Sequence, residues 1–150
     1  MSKITASGII VFRNNYNHPE ILGLIALPRH RKRAKGTYDV PKGSIDRGES
    51  SLAAAKRECF EESGLRPKLI SKVPIEYGPM QLWIGEVDSD SEIIIASNPH
   101  SGEVEHEGYE WITIKKAKKD CLNYLKPFIV DAEKIIWDYF KIWKSQEGHH

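Results

Sequence analysis

Apolar positions fall into two stretches near the N-terminus, residues 4–12 and 20–27, separated by the polar run Arg13 to Pro19. This pattern predicts two strands that pair across a loop. Residues 52–63 are rich in helix formers, with Glu49, Ser50 and Ser51 offering N-cap chemistry and Gly64 standing where a helix stop belongs. Leu52, Ala55 and Cys59 share the stripe expected to face the core. Strand-like patterning returns over 68–76, 81–87 and 108–114, and Thr113 is placed to cap a short helix through Cys121. The last element has the clearest period. From Pro127 onward, Phe128, Ala132, Ile135, Ile136, Tyr139 and Trp143 recur at three- and four-residue steps, predicting a helix whose aromatics pack the core. Strands and helices interleave, so the class is α/β or α+β with a mixed sheet.

Composition narrows the functional classes. The 150 residues suffice for one domain, and 40% hydrophobic with 29% charged residues fits neither a disordered nor a membrane chain. A net charge of +1 argues against nucleic-acid binding through bulk charge. No apolar run reaches membrane-spanning length and no signal-peptide pattern is present, so a cytoplasmic location with no membrane partner is expected. Cys59 and Cys121 lack metal or redox spacing and read as buried hydrophobes. A single domain is expected over 1–146, with 147–150 resembling the start of a purification tag.

One charge pattern is out of place. Glu58, Glu61 and Glu62 stand three and four residues apart on the predicted helix, where like charges repel by a few tenths of a kcal/mol per pair, on an arc of roughly 100°. The wider spacing is Gly43, five residues, Glu49, seven residues, Arg57-Glu58, two residues, Glu61-Glu62, one residue, Gly64-Leu65. A chance match at seven such positions is roughly one in 10⁸ per starting point at average residue usage. The stretch resembles the signature of the Nudix hydrolases, filling every fixed position. Cys59 replaces the first aliphatic residue.

The resemblance implies the Nudix fold, an α/β architecture with a mixed sheet sandwiched between helices. It also implies a metal-dependent hydrolase of phosphoanhydride bonds. Physical chemistry runs alongside it: three crowded carboxylates become an oxygen cage around a hard cation such as Mg²⁺, with Mn²⁺ able to substitute, and such a cation neutralises phosphate charge. The bland alternative is a solvated acidic face. By resemblance, Glu58 and Glu62 are direct ligands, Glu61 a ligand or second-sphere acid, and the carbonyl near Gly43 a further contact. Arg57 holds the acids by ion pairing, its own arc lying away from theirs, and Glu49 pairs with Arg57 or orients water. The base that activates water is a box acid or lies downstream, where Glu103, Glu105 and Glu107 cluster. Glu105 is the chosen candidate, against the reading of a solvated loop acid.

Substrate signals are weaker. Pro41-Lys42-Gly43 and the segment Glu105-His106-Glu107-Gly108-Tyr109-Glu110-Trp111 are similar to asymmetrical diadenosine tetraphosphate hydrolases, although Tyr38 and Ser44 stand where that group has tryptophan and histidine. Lys42 and the basic run Arg29, Arg31, Arg33 and Lys35, expected to form a surface loop, could serve a substrate with three or more phosphates. Tyr77 and Trp83 are candidates for base stacking. The favoured substrate is a small nucleotide, a dinucleoside polyphosphate. A 5′ RNA cap or triphosphate end, a nucleoside triphosphate or ADP-ribose are alternatives, RNA being less favoured. A nucleotide-sensing domain without catalysis is the alternative from outside enzymology.

Overall fold

The computed structural model describes residues 3–97 and 102–147, with side chains described through residue 141. The tag-like residues 148–150 and the side chain of Trp143 lie outside these. Strand β1 (Ala6–Asn15) turns back through Tyr16 and Asn17 into β2 (His18–Ala26). Both turn residues have positive φ, 50° and 69°, the backbone of a two-residue hairpin turn, so the expected loop is much shorter than Arg13 to Pro19.

The basic run is a helix, α1 (Pro28–Ala34), and not the expected loop. Pro28 occupies its first turn, the position where a missing N–H costs nothing. Arginine, lysine and alanine sustain it, and Lys35 closes it in a left-handed conformation. Two short strands follow, β3 (Tyr38–Asp39) and β4 (Lys42–Ser44), and then helix α2 (Ser51–Ser63). The Ser50 hydroxyl accepts from the Ala53 N–H at 3.1 Å, and Gly64 ends α2 at φ 76°.

The strand expected over 68–76 divides into β5 (Lys68–Leu69) and β6 (Ile75–Tyr77). Pro74 has no N–H for a ladder, and the Ser71 hydroxyl donates to the Val73 carbonyl in the bend between them. Beyond lie β7 (Met80–Val87), β8 (His106–Thr113), α3 (Ile114–Asp120), capped by Thr113 through the Lys116 N–H, a 3₁₀ turn at Asn123–Leu125, and α4 (Lys126–Glu147). Helix α4 passes the expected domain limit at 146.

Among the described residues, all eight strands join one mixed sheet. β1 runs parallel to β7 and antiparallel to β2 and β4, while β8 pairs with β2. Because β1 is covered on both faces, its apolar run is continuous and not alternating. Ile10 and Phe12 face α3 and α4, packing with Phe128, Ala132 and Ile136. Ile9 and Val11 face α2, packing with Ala55 and Cys59. The result is the expected α/β sandwich. Leu52 is only partly buried, and Ala54 joins Ala55 and Cys59 on the covered face. Both cysteines are buried.

Two junctions position the site. Gly8 lets β1 approach the next strand, since a Cβ there would lie 2.2 Å from the Pro41 carbonyl oxygen. On the other side, the Thr37 N–H donates to the Asp120 carbonyl and the Leu122 N–H to the Tyr38 carbonyl, bringing residues 122–124 alongside β3.

Candidate active site

Three of the four acids of the box, Glu49, Glu58 and Glu61, converge on its arginine, Arg57. Its Nε donates to Glu49 Oε2 at 2.8 Å and Nη2 to Glu49 Oε1 at 3.0 Å, a two-pronged pair. Nη1 donates to Glu58 Oε1 at 2.9 Å and Glu61 Oε2 at 3.2 Å, and Nη2 also reaches the Ser44 carbonyl at 3.0 Å. Although the Arg57 arc on the helix lies away from theirs, its long side chain folds back over the acids. The guanidinium's hydrogen bond holds the Glu49 carboxyl below the ordinary carboxylate range. Burial pushes Glu58 up against the opposing pull of Arg57.

Gly43 accommodates this cluster. A Cβ at that position would lie 2.1 Å from Glu58 Cδ and 2.3 Å from both its carboxylate oxygens. The neighbouring Lys42 N–H donates to Glu62 Oε1 at 2.9 Å, so β4 carries Glu58 over one residue and Glu62 on the next.

A cleft of about 750 Å³ opens beside Glu62. Glu62 and Glu105 line it from the acidic side, Arg29, His30 and Arg33 from α1. The Glu62 and Glu105 carboxyl groups hydrogen-bond each other across a sequence gap that spacing could not bridge. Burial and that contact push Glu62 up to about 10. Two carboxylates in contact cannot both ionise without a positive charge or proton between them.

The remaining candidates divide. Lys42 lines the cleft, its ammonium 3.1 Å from Asp39 Oδ1. Arg29 lines it, but Arg31 does not: its Nη2 pairs with Glu107 Oε1 at 3.4 Å. Arg57, Glu49, Glu58 and Glu61 lie outside the lining. Tyr77 and Trp83 are also absent from it, which removes them as base-stacking residues of this cleft. Tyr77 packs edge-on against Phe128 of α4, with ring centroids 5.1 Å apart, and its hydroxyl donates to Asp131. Trp83 packs in the layer beneath α2, its Nε1 buried without a partner. A strand alternates its faces, and the face each aromatic takes was decided by the register of β6 for Tyr77 and of β7 for Trp83.

Sequence reasoning missed Asp39, His106 and Tyr124. His106 Nε2 lies 3.0 Å from Asp39 Oδ2, both side chains buried. Tyr124 lines the cleft with its ring 5.4 Å from the Lys42 ammonium. The signal available was an acid inside the otherwise apolar strand pattern at Tyr38-Asp39-Val40.

The donors fit a hard divalent cation. They are oxygens only, the Glu62–Glu105 contact calls for positive charge, and Gly43 leaves room for the acidic cluster. Among the described residues no three His, Cys, Asp or Glu side chains already surround one point as a cage. Mg²⁺ sites commonly use one or two carboxylates and several waters. Among the described residues no helix is long and apolar enough to cross a membrane.

Known proteins agree on the family. The NUDIX domain model matches residues 3–131. The ADP-ribose pyrophosphatase of Methanocaldococcus jannaschii is 31% identical over 122 residues, covering 81% of this chain and 68% of that protein. An RNA pyrophosphohydrolase of Bartonella bacilliformis is 35% identical over 102 residues, covering 52% of this chain and 58% of its own length. Among solved structures, a C. elegans Ap4A hydrolase binary complex superposes with a TM-score of 0.69 at 21% identity, covering 89% of this chain and 98% of the other. The NUDIX domain of Shewanella oneidensis NrtR, complexed with ADP ribose, gives a TM-score of 0.60 at 13% identity, with 91% and 90% covered. Nudix hydrolases generally need a divalent metal and act on nucleotide-derived substrates. With the box complete from Gly43 to Gly64 and the family match running across both faces of the sheet, this chain belongs to the Nudix family, hydrolases of pyrophosphate bonds.

Proposed function

We propose that this protein is a Mg²⁺-dependent pyrophosphohydrolase, with Mn²⁺ able to substitute, whose substrate is a nucleotide carrying three or more phosphates, first among them a dinucleoside polyphosphate. The single observation that carries this reading is that one cleft is lined by Glu62 and Glu105 together with Arg29, Arg33, Lys35 and Lys42. A chain of phosphates needs cations along its length as well as at the reacting phosphorus. A diphosphate needs fewer.

A bound divalent cation supplies charge neutralisation on the phosphate oxygens and acidifies a water. Glu58, Glu61 and Glu62, with the Gly43 carbonyl, are the donors assigned to hold it. Glu105 takes the proton of the attacking water, a role consistent with its place beside Glu62 at the cleft wall. Arg57 and Glu49 hold Glu58 and Glu61 in place and do not touch substrate. Lys42, Arg29 and Arg33 bind phosphate oxygens. Arg31 is assigned no contact, since it does not line the cleft.

A second reading, hydrolysis at a 5′-triphosphate RNA end, is favoured by the Bartonella bacilliformis relative, which is named RNA pyrophosphohydrolase. A panel of diadenosine tetraphosphate, 5′-triphosphorylated RNA and ADP-ribose, each with Mg²⁺, separates the readings. The expected result is the highest kcat/KM for diadenosine tetraphosphate and the lowest for ADP-ribose. Preference for the RNA selects the second reading, and preference for ADP-ribose overturns both.

A further inference from the structure

Lys42 occupies a singular place in the cleft. Its backbone N–H is bonded to Glu62 and its side chain is bonded to Asp39, so one residue ties the acidic wall to a buried anion. The Asp39 carboxylate is fully engaged. Oδ1 accepts from the Val40 N–H at 2.8 Å and lies 3.1 Å from the Lys42 ammonium, while Oδ2 meets that ammonium at 3.2 Å and His106 Nε2 at 3.0 Å. Side-chain exposure is 7% for Asp39 and 6% for His106, against 16% for Lys42. Burial works to raise the Asp39 pKa, and Lys42 and His106 together outweigh it, keeping the carboxylate charged.

The α1 cations contrast with this. That helix has no buried residue, and Arg29 and Arg33 are exposed. An exposed arginine follows its ligand, whereas an ammonium held against both oxygens of a buried carboxylate makes the ligand follow it. Lys42 is the cleft cation held at a set distance from Glu62, and it is Asp39 that holds it.

We infer that Asp39, braced by His106, is a positioning residue that anchors the Lys42 ammonium and thereby selects which phosphorus of the bound substrate lies beside Glu62 and Glu105. The inference rests on the reading of the cleft as a phosphate-chain site. Attack adds the water oxygen to one phosphorus and breaks its bond to the bridging oxygen, which leaves with the other fragment. Each alignment therefore has its own products: ATP and AMP, or two ADP, from diadenosine tetraphosphate.

The test is hydrolysis in ¹⁸O-labelled water with Mg²⁺, locating the label and resolving the products. Wild type should give one product pair. Asp39→Asn should retain metal-dependent turnover but yield the second pair as about a tenth or more of the total, with kcat/KM lowered about tenfold, a differential effect of about 1.4 kcal/mol. His106→Gln, which keeps a donor toward Asp39, should hold the wild-type pair, and His106→Ala should behave as Asp39→Asn. Lys42→Gln, at a more exposed position, must also spread the label should the buried variants not fold. A folded Asp39→Asn, His106→Ala or Lys42→Gln protein with the wild-type label position overturns the inference. If wild type instead cleaves only RNA or ADP-ribose, the substrate reading has failed, and the phosphorus labelled in that substrate still compares variant with wild type. Turnover of none of the three removes both.

Discussion

The Glu58 carboxylate rests over Gly43 so closely that a single added methyl carbon would sit 2.1 Å from its Cδ. Gly43→Ala must therefore push Glu58 out of its place beside Arg57, while β4 retains its pairing with β1. A displacement of about 1 Å in a reacting constellation costs on the order of 10²-fold in rate. The expected outcome is that loss in kcat with a melting temperature near wild type. Undiminished kcat in Gly43→Ala would show that the Glu58 position is irrelevant to turnover.

Glu62 makes stability pH-dependent in a definite direction. Its folded-state pKa, pushed up to about 10 by burial and by Glu105, lies above the ordinary 4.5. The folded chain then keeps a proton that the unfolded chain releases. The contribution of this group is complete below pH 4.5 and is lost as pH rises toward 10, by at most about 1.4 kcal/mol per pH unit. Without divalent ions, urea midpoints should fall between pH 5 and 9. Glu62→Gln should flatten that slope and abolish turnover together, and added Mg²⁺ should restore the midpoint of wild type but not of the variant.

Charge on α1 should matter in proportion to phosphate number. The double variant Arg29→Gln, Arg33→Gln is expected to raise KM for diadenosine tetraphosphate about tenfold, equivalent to about 1.4 kcal/mol, and that for ADP-ribose about threefold or less. The difference should shrink in high salt because both side chains are exposed. Equal shifts for the two substrates would remove the helix from phosphate recognition.

Tyr77 belongs to the packing of α4. Tyr77→Ala loses its edge-on contact with Phe128 and its bond to Asp131, so stability should fall by about 1–2 kcal/mol with KM unchanged. Denaturant titration and steady-state kinetics on the same sample decide it. A raised KM with unchanged stability would return the ring to the binding site.

The helix that carries the acids was legible from local order alone. Ser50 and Gly64 bound it, and a 3.6-residue period sets Glu58, Glu61 and Glu62 on one side whatever surrounds them. The same holds for α4 and for the doubly buried β1, whose unbroken apolar run reflects cover on both faces. What chain order could not supply were contacts between residues distant along it. Asp39 meets His106 across 67 positions, and Glu105 reaches Glu62 from the segment before β8, because the sheet brings β3, β8 and the end of α2 together. Strand register likewise turned Tyr77 and Trp83 away from the cleft, since a one-residue difference in pairing exchanges the faces of a strand. Local spacing determined which acids could gather, and tertiary packing decided which side chains meet them, because hydrogen bonds and burial depend on distance in space and periodicity only on distance along the chain.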